Sequence, residues 1–271
     1  MKKILSIAGL DSSGGAGIGA DIKTITAHKM YAMSAISAIT AQNTLGVRAI
    51  MQASAQILSE QISACFDDMG VDALKTGMLF NAELVNVVIK TLKKYQAKNI
   101  VCDPVMLATS GAKLLQDDAI DALWELFSIS DIITPNLSEA SFLAKCEIKN
   151  LSDMKNVAKA LHTRILNKSN GKNCAVLIKG GHLDACDVLF DGKNFNEFKS
   201  EKIHTKNTHG TGCTLSSAIA CALASGLDLP KSISHAKNFV LNAIKNDINI
   251  GKGCGAINHC YNIEAPFSNL F

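Results

Sequence analysis

An α/β architecture with a mainly parallel central sheet follows from three features of this 271-residue chain: short apolar runs, stretches of helical period between them, and glycine or polar residues placed directly after the runs. The candidate strands are residues 3–8, 32–39, 73–76, 100–102, 132–134 and 175–179. Between them, Ser54 precedes Ile57, Leu58, Ile62 and Phe66, and Asn81 is a candidate cap for a helix with Leu84, Val88 and Leu92 on one face. Ser152 is expected to open a further helix through Val157, Leu161 and Ile165. Residues 187–203 read as a hairpin, with Val188, Leu189 and Phe190 before Asp191-Gly192 and Phe195 and Phe198 after it. Two helices then follow at about 211–225 and 231–246. Neither a repeat nor a low-complexity linker interrupts the pattern, so one domain over residues 1–271 is expected, with its site at the C-terminal ends of the strands.

Composition removes several classes. A hydrophobic fraction of 48%, four prolines and 19 glycines argue against a disordered or fibrous chain, and a net charge of +3 is too small to predict nucleic acid or an acidic membrane as partner. Nine cysteines stand without any C-x-x-C, their closest pair being Cys254 and Cys260. An odd count, no zinc spacing and no signal peptide after Met1-Lys2-Lys3 predict free thiols in a reducing cytoplasm. Residues 4–8 are too few to span a bilayer, and Asp11 follows at once.

Two glycine loops carry the chemical signal. In the first, Gly15-Ala16-Gly17-Ile18-Gly19-Ala20 matches the G-x-G-x-x-A dinucleotide fingerprint, but Glu60 is the first acidic residue after Asp21, so the ribose partner that reading needs is missing. A structural turn, or a loop that lets backbone approach a small ligand, remains. The second, Asn207-Thr208-His209-Gly210-Thr211-Gly212-Cys213-Thr214, opens a helix carrying Leu215, Ile219 and Leu223. Amides at such a helix N-terminus bind anions, and the same field lowers the pKa of a thiol placed there, which singles out Cys213. Walker, protein-kinase, G-x-S-x-G and H-E-x-x-H patterns are absent. Asp103, Asn136 and Glu139 come after neighbouring candidate strands and are suited to Mg²⁺, directly or through water, beside phosphate oxygens. Lys179, before Gly180-Gly181-His182, is a solvated lysine or a phosphate contact.

Taken in order, Gly9-Leu10-Asp11-Ser12-Ser13-Gly14-Gly15-Ala16-Gly17, Ala41-Gln42-Asn43-Thr44, Lys75-Thr76-Gly77-Met78-Leu79, Asp103-Pro104-Val105-Met106, Thr134-Pro135-Asn136-Leu137-Ser138-Glu139-Ala140, Lys179-Gly180-Gly181-His182 and 206–213 resemble the hydroxymethylpyrimidine/phosphomethylpyrimidine kinases of the ribokinase superfamily. The resemblance implies a three-layer αβα domain that uses ATP and Mg²⁺ to phosphorylate 4-amino-5-hydroxymethyl-2-methylpyrimidine, and then its monophosphate, in thiamine biosynthesis. It implies that Gln42 hydrogen-bonds the pyrimidine edge, with Gly9, Asp21, Met78 and Val105 completing that pocket. Gly210, Thr211 and Gly212 would form an anion hole for the transferring phosphoryl group, with Cys213 as general base and Lys179 facing the phosphates. Asp103, Asn136, Lys179, Thr208 and His209 would attend the nucleotide, and Asn136 and Glu139 the metal. A homodimer is also implied. Leu10, Ser12 and Gly19 depart from the residues common at those positions, all within the substrate loop. The nearest competing readings are a pyridoxal or pyridoxine kinase, an NAD(P) oxidoreductase and a ligand-binding protein without turnover.

Overall fold

Strand β1 (Lys3–Asp11) shows why both sides of the sheet need a cover: Leu5 and Ile7 enter one apolar layer, Ile4 enters the opposite one, and all three are fully buried. A strand with no polar face has nothing to offer water, so helices must lie on each side. The computed structural model, which describes residues 1–107, 111, 113–181, 183 and 185–264, has that arrangement. Around β1 are β2 (Tyr31–Asn43), β3 (Gly46–Gln52), β4 (Ala73–Thr76), β5 (Ile100–Cys102), β6 (Ile132–Ile133), β7 (Ala175–Ile178), β8 (Cys186–Phe190) and β9 (Phe195–Lys199). They form one sheet in the order β3-β2-β1-β4-β5-β6-β7-β8-β9. The run from β2 to β7 is parallel, while β3 at one edge and β8 and β9 at the other are antiparallel.

Helices α1 (Gly17–Ala27), α7 (Thr211–Ala224) and α8 (Leu229–Lys245) cover the face that receives Ile4, Ala73 and Val101. The other face, which receives Leu5, Leu74 and Ile133, is covered by α2 (Ala55–Ala64), α3 (Ala82–Lys94), α4 (Ala119–Ile129), α5 (Leu137–Ala144) and α6 (Leu151–Lys168). Side chains start several of these helices by satisfying amides that have no intrahelical partner: Ser54 accepts from Ile57 N and Asn81 from Leu84 N. Beyond α2 the chain continues as a π-helical turn, Cys65–Met69, and leaves it at Gly70 with φ of 69°.

Strands β4 and β5 have the expected limits. Strands β1 and β2 run further than their apolar cores because they pair with each other as far as Asp11 and Thr40, and β6 is a residue shorter than expected. The hairpin is present as β8 and β9. Helix α6 begins at Leu151, capped by Asn150 and not by Ser152, and α8 begins at Leu229 because Asp228 accepts from Lys231 N and Pro230 is accommodated in the first turn. Strand β3 is an addition; its residues are largely exposed, so no burial pattern marks it in the sequence. Among the described residues, no helix is long and apolar enough to cross a membrane.

Candidate active site

At the C-terminal ends of the parallel strands lies a cavity of about 990 Å³. Its floor is set by the first residues beyond the strands. After β5 comes Asp103, 2% exposed, whose Oδ1 accepts from Thr134 Oγ1 (3.1 Å) and from Lys179 Nζ (2.7 Å). Burial opposes the Lys179 charge, yet Asp103 and Glu139 hold its pKa above the ordinary lysine value. The start of α7 is pressed against this ion pair: a Cβ on Gly212 would stand 3.2 Å from Lys179 Nζ and 3.6 Å from Asp103 Oδ2. A helix N-terminus and a lysine ammonium thus converge on one point, an arrangement suited to an anion in transfer.

The turn before α7 is built on glycine by necessity. Gly210 has φ of 86°, and a Cβ there would lie 1.9 Å from the carbonyl oxygen of Gly15, so the two glycine loops touch backbone to backbone. His209 in the same turn places Nε2 2.8 Å from Asp11 Oδ2. The segment after α8 braces this turn: His209 N donates to Gly255 O (3.0 Å), Gly255 N to Asn207 Oδ1 (3.1 Å) and Cys254 N to Thr44 O (3.0 Å). Thr208 lines the cavity with its hydroxyl 3.7 Å from Cys254 Sγ.

Asn136 and Glu139 form a reciprocal cap on α5: Glu139 N donates to Asn136 Oδ1 (2.9 Å) and Asn136 N to Glu139 Oε2 (2.8 Å). Both line the cavity. Burial pushes the Glu139 carboxyl up to about 7, with Lys179 working against that shift and Asp103 adding to it. Among the described residues no group of three or more His, Cys, Asp or Glu is arranged to hold a metal ion. The oxygen donors Asp103, Asn136 and Glu139 therefore fit Mg²⁺ as a partner of phosphate oxygens and water, not as a protein-only cage.

Gly9, Gln42, Met78 and Val105, four of the five residues expected around the pyrimidine, line the cavity. Gly9 is confined, since a Cβ would approach Met78 Sδ to 2.9 Å. Ile203, Leu215, Val240, Leu241 and Ile244 add an apolar part to the lining.

Two expectations are corrected. Asp21 does not line the cavity: it is fully buried on the inward face of α1, paired with Lys75 Nζ at 3.0 and 3.1 Å and hydrogen-bonded by the Ser6 and Ser217 hydroxyls. Despite burial, Asp21 holds Lys75 protonated, its pKa above the usual value. Cys213 does line the cavity, but its thiol is not acidified. Burial pushes it up to about 11, and the nearby Lys75 cation and the Gly17 amide only moderate that rise. The helix field on which the expected acidification rests is outweighed by removal from water.

Asp11, Asp187 and Lys237 line the cavity without having been singled out from the sequence. Asp187 accepts from Gly180 N (2.9 Å) and from Lys237 Nζ (2.8 Å), which closes the end of β7 onto α8. Asp11 alone carries a local signal, as the acidic residue ending an apolar run and opening a glycine loop. His182 lies outside the described residues.

Solved structures share this architecture. The ADP complex of Bacillus subtilis pyridoxal kinase superposes with a TM-score of 0.86 at 37% identity, covering 96% of this chain and 98% of that one. Phosphomethylpyrimidine kinase from Clostridium difficile 630 gives 0.79 at 41% identity, covering 90% and 100%. Fold and site together are those of a ribokinase-like phosphotransferase acting on small molecules. The family model described as phosphomethylpyrimidine kinase matches residues 11–258, and the hydroxymethylpyrimidine/phosphomethylpyrimidine kinase of Bacillus subtilis is 42% identical over 95% of this chain and 94% of its own. The chain belongs to the phosphomethylpyrimidine kinase family. It also spans about half, 52%, of the thiamine biosynthesis bifunctional protein of Geobacter sulfurreducens, at 43% identity.

Proposed function

We propose that this chain transfers the γ-phosphoryl group of ATP to the hydroxymethyl oxygen of 4-amino-5-hydroxymethyl-2-methylpyrimidine, and then phosphorylates the monophosphate to the diphosphate, in thiamine biosynthesis. The observation that carries the reading is that Lys179, pressed against Gly212 at the start of α7, lines one cavity together with Gln42 and with the apolar side chains of α8. The pyrimidine lies beside Gly9, Gln42, Met78 and Val105, and the adenine against Val240, Leu241 and Ile244. The hydroxymethyl oxygen attacks phosphorus, the bond to the β-phosphate oxygen breaks, and ADP leaves. Lys179 and the amides of Gly210, Thr211 and Gly212 stabilise the charge that spreads over the transferring group. Cys213 receives the hydroxyl proton in its thiolate form, a minor fraction at neutral pH with the thiol near 11, so this proton transfer speeds up as pH rises. Asn136 and Glu139, with Asp103 beside them, would hold Mg²⁺, which supplies charge neutralisation at the phosphate oxygens when bound. Thr208 flanks the nucleotide from the braced turn, while His209 in the same turn stands against Asp11 and Gln42 and so beside the pyrimidine, not the nucleotide as the resemblance implied.

In this reading residues 1–271 act as a single kinase unit in the cytoplasm. A homodimer would be built on surfaces such as the one where Ile39, Leu45 and Met51 are exposed. Likeness to pyridoxal kinase makes pyridoxal the competing substrate. The test is product mass after incubation with ATP and Mg²⁺, with the pyrimidine alcohol, its monophosphate and pyridoxal offered separately at equal concentration. Mono- and diphosphorylated pyrimidine are expected, whereas pyridoxal phosphate as sole product would refute the pyrimidine reading and leave the phosphotransfer chemistry.

A further inference from the structure

Three side chains, brought together from distant parts of the sequence, meet at one nitrogen. Nε2 of His209 lies 2.8 Å from Asp11 Oδ2 and 3.3 Å from Nε2 of Gln42, and all three residues line the cavity. Asp11 is 4% exposed and accepts from Ser13 N, Ser13 Oγ and Ala16 N. Burial alone would raise its pKa, but the bonds from His209 and Ser13 hold the carboxyl below its usual range. An ionised carboxylate only accepts, so a 2.8 Å contact requires a proton on Nε2 of His209; without one, two lone pairs would face each other. Nε2 then has nothing with which to accept from the Gln42 amide.

The other end of that amide gives the same answer. Thr40 Oγ1 is 3.1 Å from the Leu10 carbonyl oxygen and 3.1 Å from Gln42 Oε1. Its single proton goes to the carbonyl, which can only accept, and what remains to the amide is a hydroxyl lone pair. With the Gln42 amide turned by half a rotation about its last torsion, both contacts become attractive: the NH₂ donates to Thr40, and Oε1 takes the longer arm of a three-centre bond from the single His209 Nε2–H, whose shorter arm goes to Asp11.

We propose that Asp11 and His209 are a positioning pair that sets the direction of the Gln42 amide, so that the cavity meets its carbonyl oxygen and the site selects heteroaromatic rings bringing an exocyclic amino donor over rings bringing an acceptor there. This deepens the pyrimidine reading and rests on it for the identity of the ring. Oε1 takes the shared arm from His209 and keeps a lone pair for the occupant. A ring with an oxo group in place of the amino group would set oxygen against oxygen, and reversing the amide to suit it would break the contacts to both Thr40 and His209. The pair joins the first glycine loop to the turn that forms the anion hole, so one pair of residues would serve substrate choice from the same turn that serves phosphoryl transfer.

Two measurements on the full chain test this. Long-range proton–nitrogen correlation spectra at neutral pH read which His209 nitrogen bears hydrogen, the signal being assigned by its loss in His209→Gln. A protonated Nε2 is expected, and an unprotonated Nε2 would overturn the proposal whatever the substrate proves to be. The second is the ratio of kcat/KM for 4-amino-5-hydroxymethyl-2-methylpyrimidine to that for its 4-oxo counterpart. Wild type should favour the amino ring, and both His209→Phe and Asp11→Asn should lower the ratio about tenfold, the loss of one neutral hydrogen bond. Equal losses on the two rings, with the ratio kept, would show a merely structural role and refute the proposal. Failure of the wild type to phosphorylate either ring would refute the pyrimidine reading and the selectivity with it, a result told apart from the first two by the wild-type assay alone.

Discussion

Asp21 teaches most at the level of single residues. It comes after a glycine loop and so invites a ligand-binding role, yet Ile18, Asp21 and Ile25 form one buried stripe of α1, and helical period alone places it inward. Its partner Lys75 is fully buried, and removing one charge of such a pair strands the other. Lys75→Met should cost about 3–5 kcal/mol in urea unfolding, and adding Asp21→Leu should recover much of it. Cys213 is legible as a site residue, but its protonation is not, because burial is a tertiary property. Cys213→Ala should lower turnover by roughly 10²-fold with ATP affinity little changed. With the thiol near 11, wild-type kcat/KM should climb from pH 7 toward pH 10, and the variant should lose that climb; a parallel climb in both would remove Cys213 from proton transfer. His259 supplies the stability counterpart. Burial pushes its imidazole down to about 4 while Thr214 Oγ1 bonds its Nε2 at 2.8 Å. Between about 6.5 and 4 the unfolded chain binds the extra proton and the folded one does not, so stability is full above 6.5 and declines as pH falls. Glu139, raised to about 7, acts in the opposite direction over much of that window, so the check is a difference: the denaturant midpoint of the wild type should fall relative to that of His259→Gln as pH drops from 6.5 to 4.

Among the elements, those whose ends are marked by caps and glycines are the readable ones. Ser54 and Asn81 are recognisable as caps from the apolar period behind them, and both hold the expected amides. The start of α6 lies two positions before its expected place because Asn150 and Ser152 are equally good capping residues by type, and only the chain's entry angle decides between them. Asn150→Ala should therefore destabilise the protein by about 1 kcal/mol, while Ser152→Ala should fall within a few tenths, compared by urea midpoints. Strand β3 is unreadable for the opposite reason: an edge strand paired on one side and mostly exposed has no obligatory alternation. Its presence depends on β2, which extends past its own apolar core to meet it.

For the whole molecule, parallel pairing from β2 to β7 brings the C-terminal ends of those strands to one edge, and the motif positions at those ends are enough to assemble most of one cavity. What the order of motifs does not convey is the apolar wall of α8 or the bracing by residues 246–264, because neither carries a motif. Deleting everything after Lys245 should leave the far-ultraviolet circular dichroism nearly intact while removing most turnover, since the sheet lies wholly before that point and the hydrogen bonds of Gly255 to Asn207 and His209 do not. Retained turnover in that truncation would show that the turn before α7 holds itself. That bracing also has a consequence in time. A ribosome extends a chain by some 5–20 residues per second, and Gly255 follows Asn207 by 48 residues, so roughly 2–10 seconds separate the making of the glycine turn from the making of its brace. The turn thus exists as chain for some seconds before the contacts that hold it in shape can form, and its geometry is set by a segment made after it.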